Sequence, residues 1–369
     1  MTKQIRRILP TCILCILLLI FASTTSISDT FTDPDRRTVS KVNEVPNKIW
    51  QMWKVDVLSL EERDLNRART WINKNPEYRY EMLTDGNDMQ YVAKRYGPEE
   101  LNRPDIVYMY RTIGSKIIKA DILRYLIMYA EGGVYADIDV EAIRPVSRFI
   151  PDHYSGRDVD MVVGIEIDQP EYGAHPVLGS KCKSFCQWTF MCKPGLPVML
   201  KLVENIMAWL TDLAQRQNVP ISDIKFNFDD IIAGTGPSAF TEAILDDISS
   251  RVGHKVTWDT FHNLGESKLL AGVLVLTVEA FAAGQGHSDS GNHDARTALV
   301  KHHYHASGWP TTHPRFSHPI YGEVERCNWD AECVMKWDAE TAAFDKLSPE
   351  EQSAKIAIKK SEEEKSKPQ

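Results

Sequence analysis

The 369-residue chain contains no Asn-x-Ser/Thr sequon, so nothing in it directs N-glycosylation of the protein itself. Outside an apolar stretch near the N-terminus it has no C-x-x-C pair, which removes the usual zinc signature. It shows no internal repeat and no basic excess: 43 Lys and Arg face 51 Asp and Glu, a formal net charge of −8. That balance excludes a chain built to neutralise nucleic-acid phosphates, so no nucleic-acid partner is expected. No apolar run after residue 22 reaches the roughly 20 residues that span a bilayer. What remains is globular in character, with 43% hydrophobic and 25% charged residues and enough length for a substantial core.

The N-terminus carries a directional signal. Lys3, Arg6 and Arg7 precede an apolar run from Ile8 to Ala22, and Asp29, Asp33 and Asp35 follow it. This asymmetry favours a cytosolic N-terminus with the rest translocated. The run suits a cleaved signal peptide, with Ala22, Ser23 and Ser26 as small residues near a cleavage point, about as well as a membrane anchor. Cysteine usage fits an oxidising compartment. Cys327 and Cys333 close a short loop and can pair, while at most one pair can form among Cys182, Cys186 and Cys192.

Hydrophobic periodicity alternates between strand and helix. KIWQMW is a strand, and Ser59-Leu-Glu-Glu62 is a capping-box pattern opening a helix to about Asn73. Asn75-Pro76 breaks that helix, Tyr78 to Leu83 reads as the next strand, and Thr84 or Asp85 can cap a helix toward Tyr96. VDMVVGIEI at 159–167 is a buried-type strand. Pro197 starts a helix to about Gln215, Pro237 or Ser238 starts another, and KLLAGVLVLTVEAF includes one more strand. The alternation implies a single α/β domain around a mostly parallel sheet.

Chemistry concentrates in KADILRYLIMYAEGGVYADIDV, from Lys119 to Val140. Ile122, Leu123, Leu126, Ile127 and Ala130 recur at helical spacing, and Asp121, Arg124, Tyr125 and Met128 form a second stripe. Gly132 and Gly133 end the helix. Val134, Ala136, Ile138 and Val140 then alternate with Tyr135, Asp137 and Asp139 as in a strand, which points the two aspartates the same way. Paired carboxylates repel unless a cation lies between them, and hard divalent cations take oxygen ligands. An isolated Asp-x-Asp is common, and Asp121 with Arg124 would serve equally as a structural ion pair. The helix placed just before the aspartates is what raises the pattern above coincidence.

This segment resembles the signature of the DXD-containing glycosyltransferases of family 32, and has the same helix-Asp, helix-Arg, Asp-x-Asp order as the clostridial glucosylating toxins. VPNKIWQMWK at 45–54, NPEYRYEMLTD at 75–85, GIEIDQPE at 164–171, FCQWTFMCKPGLPVM at 185–199, GTGPSAFTEAI at 234–244 and VKHHYHASGW at 300–309 extend the resemblance over about residues 45–310. The branch they are most similar to is the fungal initiation-specific α-1,6-mannosyltransferases. The resemblance implies a single GT-A-type, Rossmann-like domain over 45–346. It also turns the N-terminal run into an uncleaved signal anchor at 8–22. A cytosolic tail at 1–7, a polar stem at 23–44 and a charged mobile tail at 347–369 complete the expected organisation, in a single-pass type II Golgi protein whose catalytic domain is luminal.

The same resemblance implies transfer of mannose from GDP-mannose to a mannose-containing N-glycan acceptor, with an α-1,6 product and retained configuration. It implies a divalent metal, Mn²⁺ ahead of Mg²⁺, with Asp137, Asp139 and His302 as ligands. Asp121 and Arg124 match residues that hold the sugar hydroxyls and diphosphate, Trp50 matches a base-side aromatic, and Tyr135 borders the ribose. Ser307 and Trp309 match positions near the diphosphate, with an extra Gly308 where the family usually reads Gly-Ser-Trp. On the acceptor side, Glu166 ends a buried-type strand, where a charge is unusual unless paired or functional. Gln187 and Trp188 in the CQWT segment carry the branch assignment. Gly234-Thr235-Gly236-Pro237 would aim backbone N–H groups and a helix N-terminus at the cleft, or be simply a tight turn. Two alternatives remain open: a mannosyltransferase acting on an inositol-phosphoceramide lipid, and a non-catalytic sugar-binding subunit. The first would call for apolar segments flanking the body, and the second gives no reason to keep Asp121, Arg124, Asp137 and Asp139.

Overall fold

The computed structural model describes residues 38–39, 42–304 and 318–365. The N-terminal apolar run, most of the stem, Ser307 and Trp309 lie outside the described residues. Among those described, no helix is long and apolar enough to cross a membrane.

One mixed sheet organises the chain. Strand β1 (Lys48–Trp53) lies parallel to β2 (Arg79–Thr84) on one side and to β3 (Gly133–Ala136) on the other. Next comes β7 (Thr189–Cys192), antiparallel to β3 and to its other neighbour β5 (Met161–Asp168). Beyond β5 lie parallel β9 (Val273–Leu276) and the antiparallel edge strand β8 (Lys268–Leu270). A short β6 (Lys183–Phe185) pairs antiparallel with the end of β5. The order is therefore β2-β1-β3-β7-β5-β9-β8, with β1, β2, β3, β5 and β9 all pointing one way. Outside this sheet, β4 (Val140–Ala142) and β10 (Val300–His302) form an antiparallel ribbon.

The helices are α1 (Glu62–Lys74), α2 (Asp88–Arg95), α3 (Pro104–Thr112), α4 (Lys116–Ala130), α5 (Pro197–Gln217), α6 (Phe228–Gly234), α7 (Pro237–Val252), α8 (Val278–Ala282), α9 (Ala331–Phe344) and α10 (Pro349–Lys365). The decisive one is α4, in which every residue from Asp121 to Ala130 is buried. Such a helix is sandwiched rather than laid on a surface, so its polar stripe is not a solvated face. Gly132 (φ +62°) and Gly133 (φ +101°) turn the chain from α4 into β3. A Cβ at Gly133 would sit 2.6 Å from the Lys48 carbonyl oxygen of β1, so only glycine lets the two strands start side by side.

Several elements differ from the sequence-based expectation. Ser59 caps nothing on α1: it closes a 3₁₀ turn, Val57–Ser59, that Asp56 caps through Leu58 N, and α1 starts at Glu62 without a side-chain cap bond. KLLAGVLVL is a hairpin of two strands, turned at Ala271 and Gly272, both at positive φ. Within the charged tail after 347, Pro349–Lys365 forms α10, none of whose residues is buried. Cys327 and Cys333 are disulfide-bonded, whereas Cys182, Cys186 and Cys192 are all buried free thiols.

Candidate active site

The site is assembled at the end of β3. The strand stops at Ala136, and residues 137–139 are a turn, closed by Val140 N donating to Asp137 O at 3.0 Å. The continuous strand expected from Val134 to Val140 is therefore interrupted at its functional residues. Alternation persists in the burial of Val134, Ala136, Ile138 and Val140, but Tyr135 is equally buried, so both faces are covered. The turn is anchored from outside: Asp137 N donates to Trp188 O at 2.8 Å, and Gln51 Nε2 donates to Asp137 O at 2.9 Å.

From α4, Arg124 reaches into this turn. Its Nη1 donates to Asp121 Oδ1 at 2.8 Å and its Nη2 to Asp137 Oδ1 at 3.1 Å, while its guanidinium lies 5.1 Å from the Tyr135 ring centroid. The planar fork of arginine allows this bridge between two carboxylates. Tyr135 adds a hydrogen bond from its hydroxyl to Asp137 Oδ1 at 2.5 Å. Burial lifts the Asp121 carboxyl to about 6, against the lowering influence of Arg124 and of a hydrogen bond from Thr235. Burial likewise raises Asp137, again opposed by Arg124.

Pairing of β4 with β10 sets His302 opposite Val140, and His303 N donates to Asp139 O at 3.0 Å. His302 Nε2 thereby lies 3.3 Å from Asp139 Oδ1. The structure thus joins Asp139 to His302 and turns Asp137 toward Arg124 and Tyr135. Among the described residues, no three His, Cys, Asp or Glu side chains gather as a complete ligand set. Of the expected ligands Asp137, Asp139 and His302, two therefore face each other and the third sits on Arg124. The residues nonetheless fit a divalent ion. His302 Nδ1 is buried without a hydrogen-bond partner, Asp139 is buried facing its other ring nitrogen, and Asp121 and Asp137 share the Arg124 guanidinium. Mg²⁺-type ions commonly use one or two protein ligands and complete their shell with water and substrate phosphate.

Glu166 shares the neighbour Trp188 with His302. It accepts from Trp188 Nε1 at 2.9 Å and from Ser184 Oγ at 3.4 Å, at a point where the β5–β6 register shifts. Burial raises its carboxyl above the ordinary range. The rings of Trp188 and Tyr304 flank His302, at centroid distances of 4.4 and 3.9 Å.

Trp50 is in mid-strand, buried, and donates its indole N–H to Gly132 O at 3.1 Å, so its ring stabilises the α4–β3 junction. Nor does the Gly234-Thr235-Gly236 turn aim N–H groups at the cleft: Thr235 N and Gly236 N both donate to Ile231 O. Contacts that the sequence did not show are those of Gln51, the Thr235 hydroxyl and Tyr304. Gln51 carries a weak signal, a polar residue in an apolar strand. The Thr235 hydroxyl carries none, because Asp121 lies more than a hundred residues away in the chain, and Tyr304 folds back on His302 only two residues before it.

Residues 61–156 match the family model described as the glycosyltransferase sugar-binding region containing the DXD motif. The initiation-specific alpha-1,6-mannosyltransferase of Schizosaccharomyces pombe is 29% identical over 268 residues, covering 72% of this chain and 64% of that protein. The putative glycosyltransferase HOC1 of Saccharomyces cerevisiae is 31% identical, covering 64% and 58%. The initiation-specific alpha-1,6-mannosyltransferase of Candida albicans is 29% identical, covering 71% of each. The chain therefore spans less than two thirds of the first two relatives. Residues 61–156 are thus similar to the DXD-containing sugar-binding region of that glycosyltransferase family, in a chain similar to the initiation-specific α-1,6-mannosyltransferases.

Proposed function

We propose that the protein is a retaining, metal-dependent transferase of the GT-A type that moves mannose from GDP-mannose to a mannose of an N-linked glycan in α-1,6 linkage. In this reading it works on the luminal side of the Golgi membrane, held by the N-terminal apolar run. The observation that carries the proposal is the Arg124 bridge from Asp121 to Asp137, set beside the Asp139–His302 pair. A departing diphosphate needs positive charge at a fixed position, and a preorganised guanidinium supplies it without reorganisation. Asp139 and His302 would hold the divalent ion, which when bound neutralises charge on that diphosphate. Asp121 keeps Arg124 oriented, and the Tyr135 hydroxyl keeps Asp137 facing it. Glu166, half-buried, offers an acceptor hydroxyl a hydrogen-bonding oxygen. Donor and product are both α-linked, so configuration is retained, and the acceptor proton passes to the departing diphosphate. Full-length protein assayed with GDP-mannose, Mn²⁺ and a high-mannose glycan should yield an α-1,6 product, and chelation should abolish it. Turnover confined to UDP-sugars would overturn the donor assignment, and no metal-dependent nucleotide binding at all would favour the non-catalytic alternative.

A further inference from the structure

Thr235 is fully buried and hydrogen-bonded through both its side chain and its carbonyl. Its hydroxyl donates to Asp121 Oδ2 at 2.6 Å; the other acceptor in reach, Ile231 O, lies at 3.3 Å. Its carbonyl accepts from the Tyr125 hydroxyl at 2.8 Å, and that hydroxyl also lies 2.5 Å from Gln187 Oε1. A phenol has one proton and here faces two carbonyl oxygens. The hydroxyl therefore donates to one of the two at a time and sits between them. One residue thus touches the carboxylate that aligns Arg124 and, through Tyr125, the Gln187 amide beside Trp188.

The turn that carries Thr235 has little freedom to shift. A Cβ at Gly234 would lie 2.4 Å from the Trp209 ring, and one at Gly236 2.8 Å from Ile232 Cα. Thr235 N and Gly236 N, at 3.0 and 2.8 Å from Ile231 O, tie the turn to the last residues of α6. The two glycines let the turn press against the Trp209 ring and the α6 backbone, and this leaves the threonine hydroxyl facing α4.

We propose that Thr235 is a positioning residue for glycosyl transfer: its hydroxyl holds Asp121 Oδ2 so that Oδ1 stays on Arg124 Nη1 and Nη2 stays on Asp137. The inference rests on the reading of the site as a transfer centre. Without that hydroxyl the Asp121 carboxylate can rotate, and the guanidinium loses the orientation that serves the diphosphate.

The test compares Thr235→Val, which keeps the volume and removes the hydroxyl, with Thr235→Ser, which keeps the hydroxyl and removes a methyl group. Full-length proteins are assayed with GDP-mannose, Mn²⁺ and an α-mannoside acceptor, with GDP–Mn²⁺ affinity by calorimetry and Tm in parallel. Loss of a hydrogen bond to a charged group predicts that kcat/KM falls about 10- to 100-fold in the Val variant, while the Ser variant stays within about 3-fold of wild type. A packing role predicts the opposite order, since Ser leaves a cavity and Val does not. If the Val variant does not fold, Thr235→Ala replaces it and must also fall well below Ser. Val equal to wild type, or Ser as impaired as Val, overturns the role of Thr235 while a working wild-type enzyme leaves the proposed function intact. A wild-type protein that neither binds nor turns over GDP-mannose overturns both.

Discussion

Asp139 is the residue whose loss should separate catalysis from folding. Asp139→Ala removes the carboxylate facing His302 and leaves the apolar turn residue Ile138 and its neighbour Val140 in place. A metal-bound charge stabilises a transition state by several kcal/mol, so transfer should drop at least about 100-fold. Tm should be unchanged or slightly raised without metal, and the extra stability given by Mn²⁺ with GDP should shrink. Activity near wild type would remove Asp139 from the metal site. Arg124 is the opposite case, because it is buried between two carboxylates. Arg124→Ala should lower unfolding stability by about 3–5 kcal/mol in urea titrations, as expected when one partner of a buried pair is removed. Arg124→Lys should fold better yet transfer poorly, since an ammonium cannot reproduce the planar bridge.

At the scale of elements, α1 holds the chain that leaves the aspartate turn. Trp71 Nε1 donates to Val140 O at 2.8 Å, Thr70 Oγ1 accepts from Ala142 N at 2.9 Å, and Asn75 Oδ1 accepts from Val146 N at 2.7 Å. Trp71→Phe deletes one of these bonds and thins the core. A loss of about 1–3 kcal/mol is expected in urea unfolding, with a higher Mn²⁺ requirement for transfer because the Asp139 turn loosens. An unchanged metal requirement would mean that α1 supports only the fold. None of these bonds was legible in the sequence, because each joins residues about 70 positions apart. The strand reading of 134–140 failed for a related reason. Apolar alternation continues through the turn because Ile138 is buried, so periodicity alone could not reveal where the ladder stops.

For the whole molecule, acid sensitivity should arise partly far from the aspartates. Burial lowers His287 from its ordinary 6.5 to about 4. Between those pH values the unfolded chain takes up a proton that the folded chain refuses, so stability is full above 6.5 and declines as pH falls toward 4. His287→Gln should flatten that part of the stability–pH curve measured by thermal unfolding. An unaltered acid limb would assign the sensitivity to other groups. What the sequence determined by itself was the type and rough extent of the main elements, the helix-borne Asp121 and Arg124, the aspartate pair and the Cys327–Cys333 loop, because each is encoded by local spacing. What only tertiary structure decided was which groups meet. Pairing of β4 with β10 joins His302 to Asp139 across more than 160 residues, and burial of α4 on every side turns an apparent surface stripe into the Asp121–Arg124–Asp137 bridge. Local periodicity sets which way a side chain leaves its own element. The partner it finds depends on how distant elements pack, and no short window of sequence contains that.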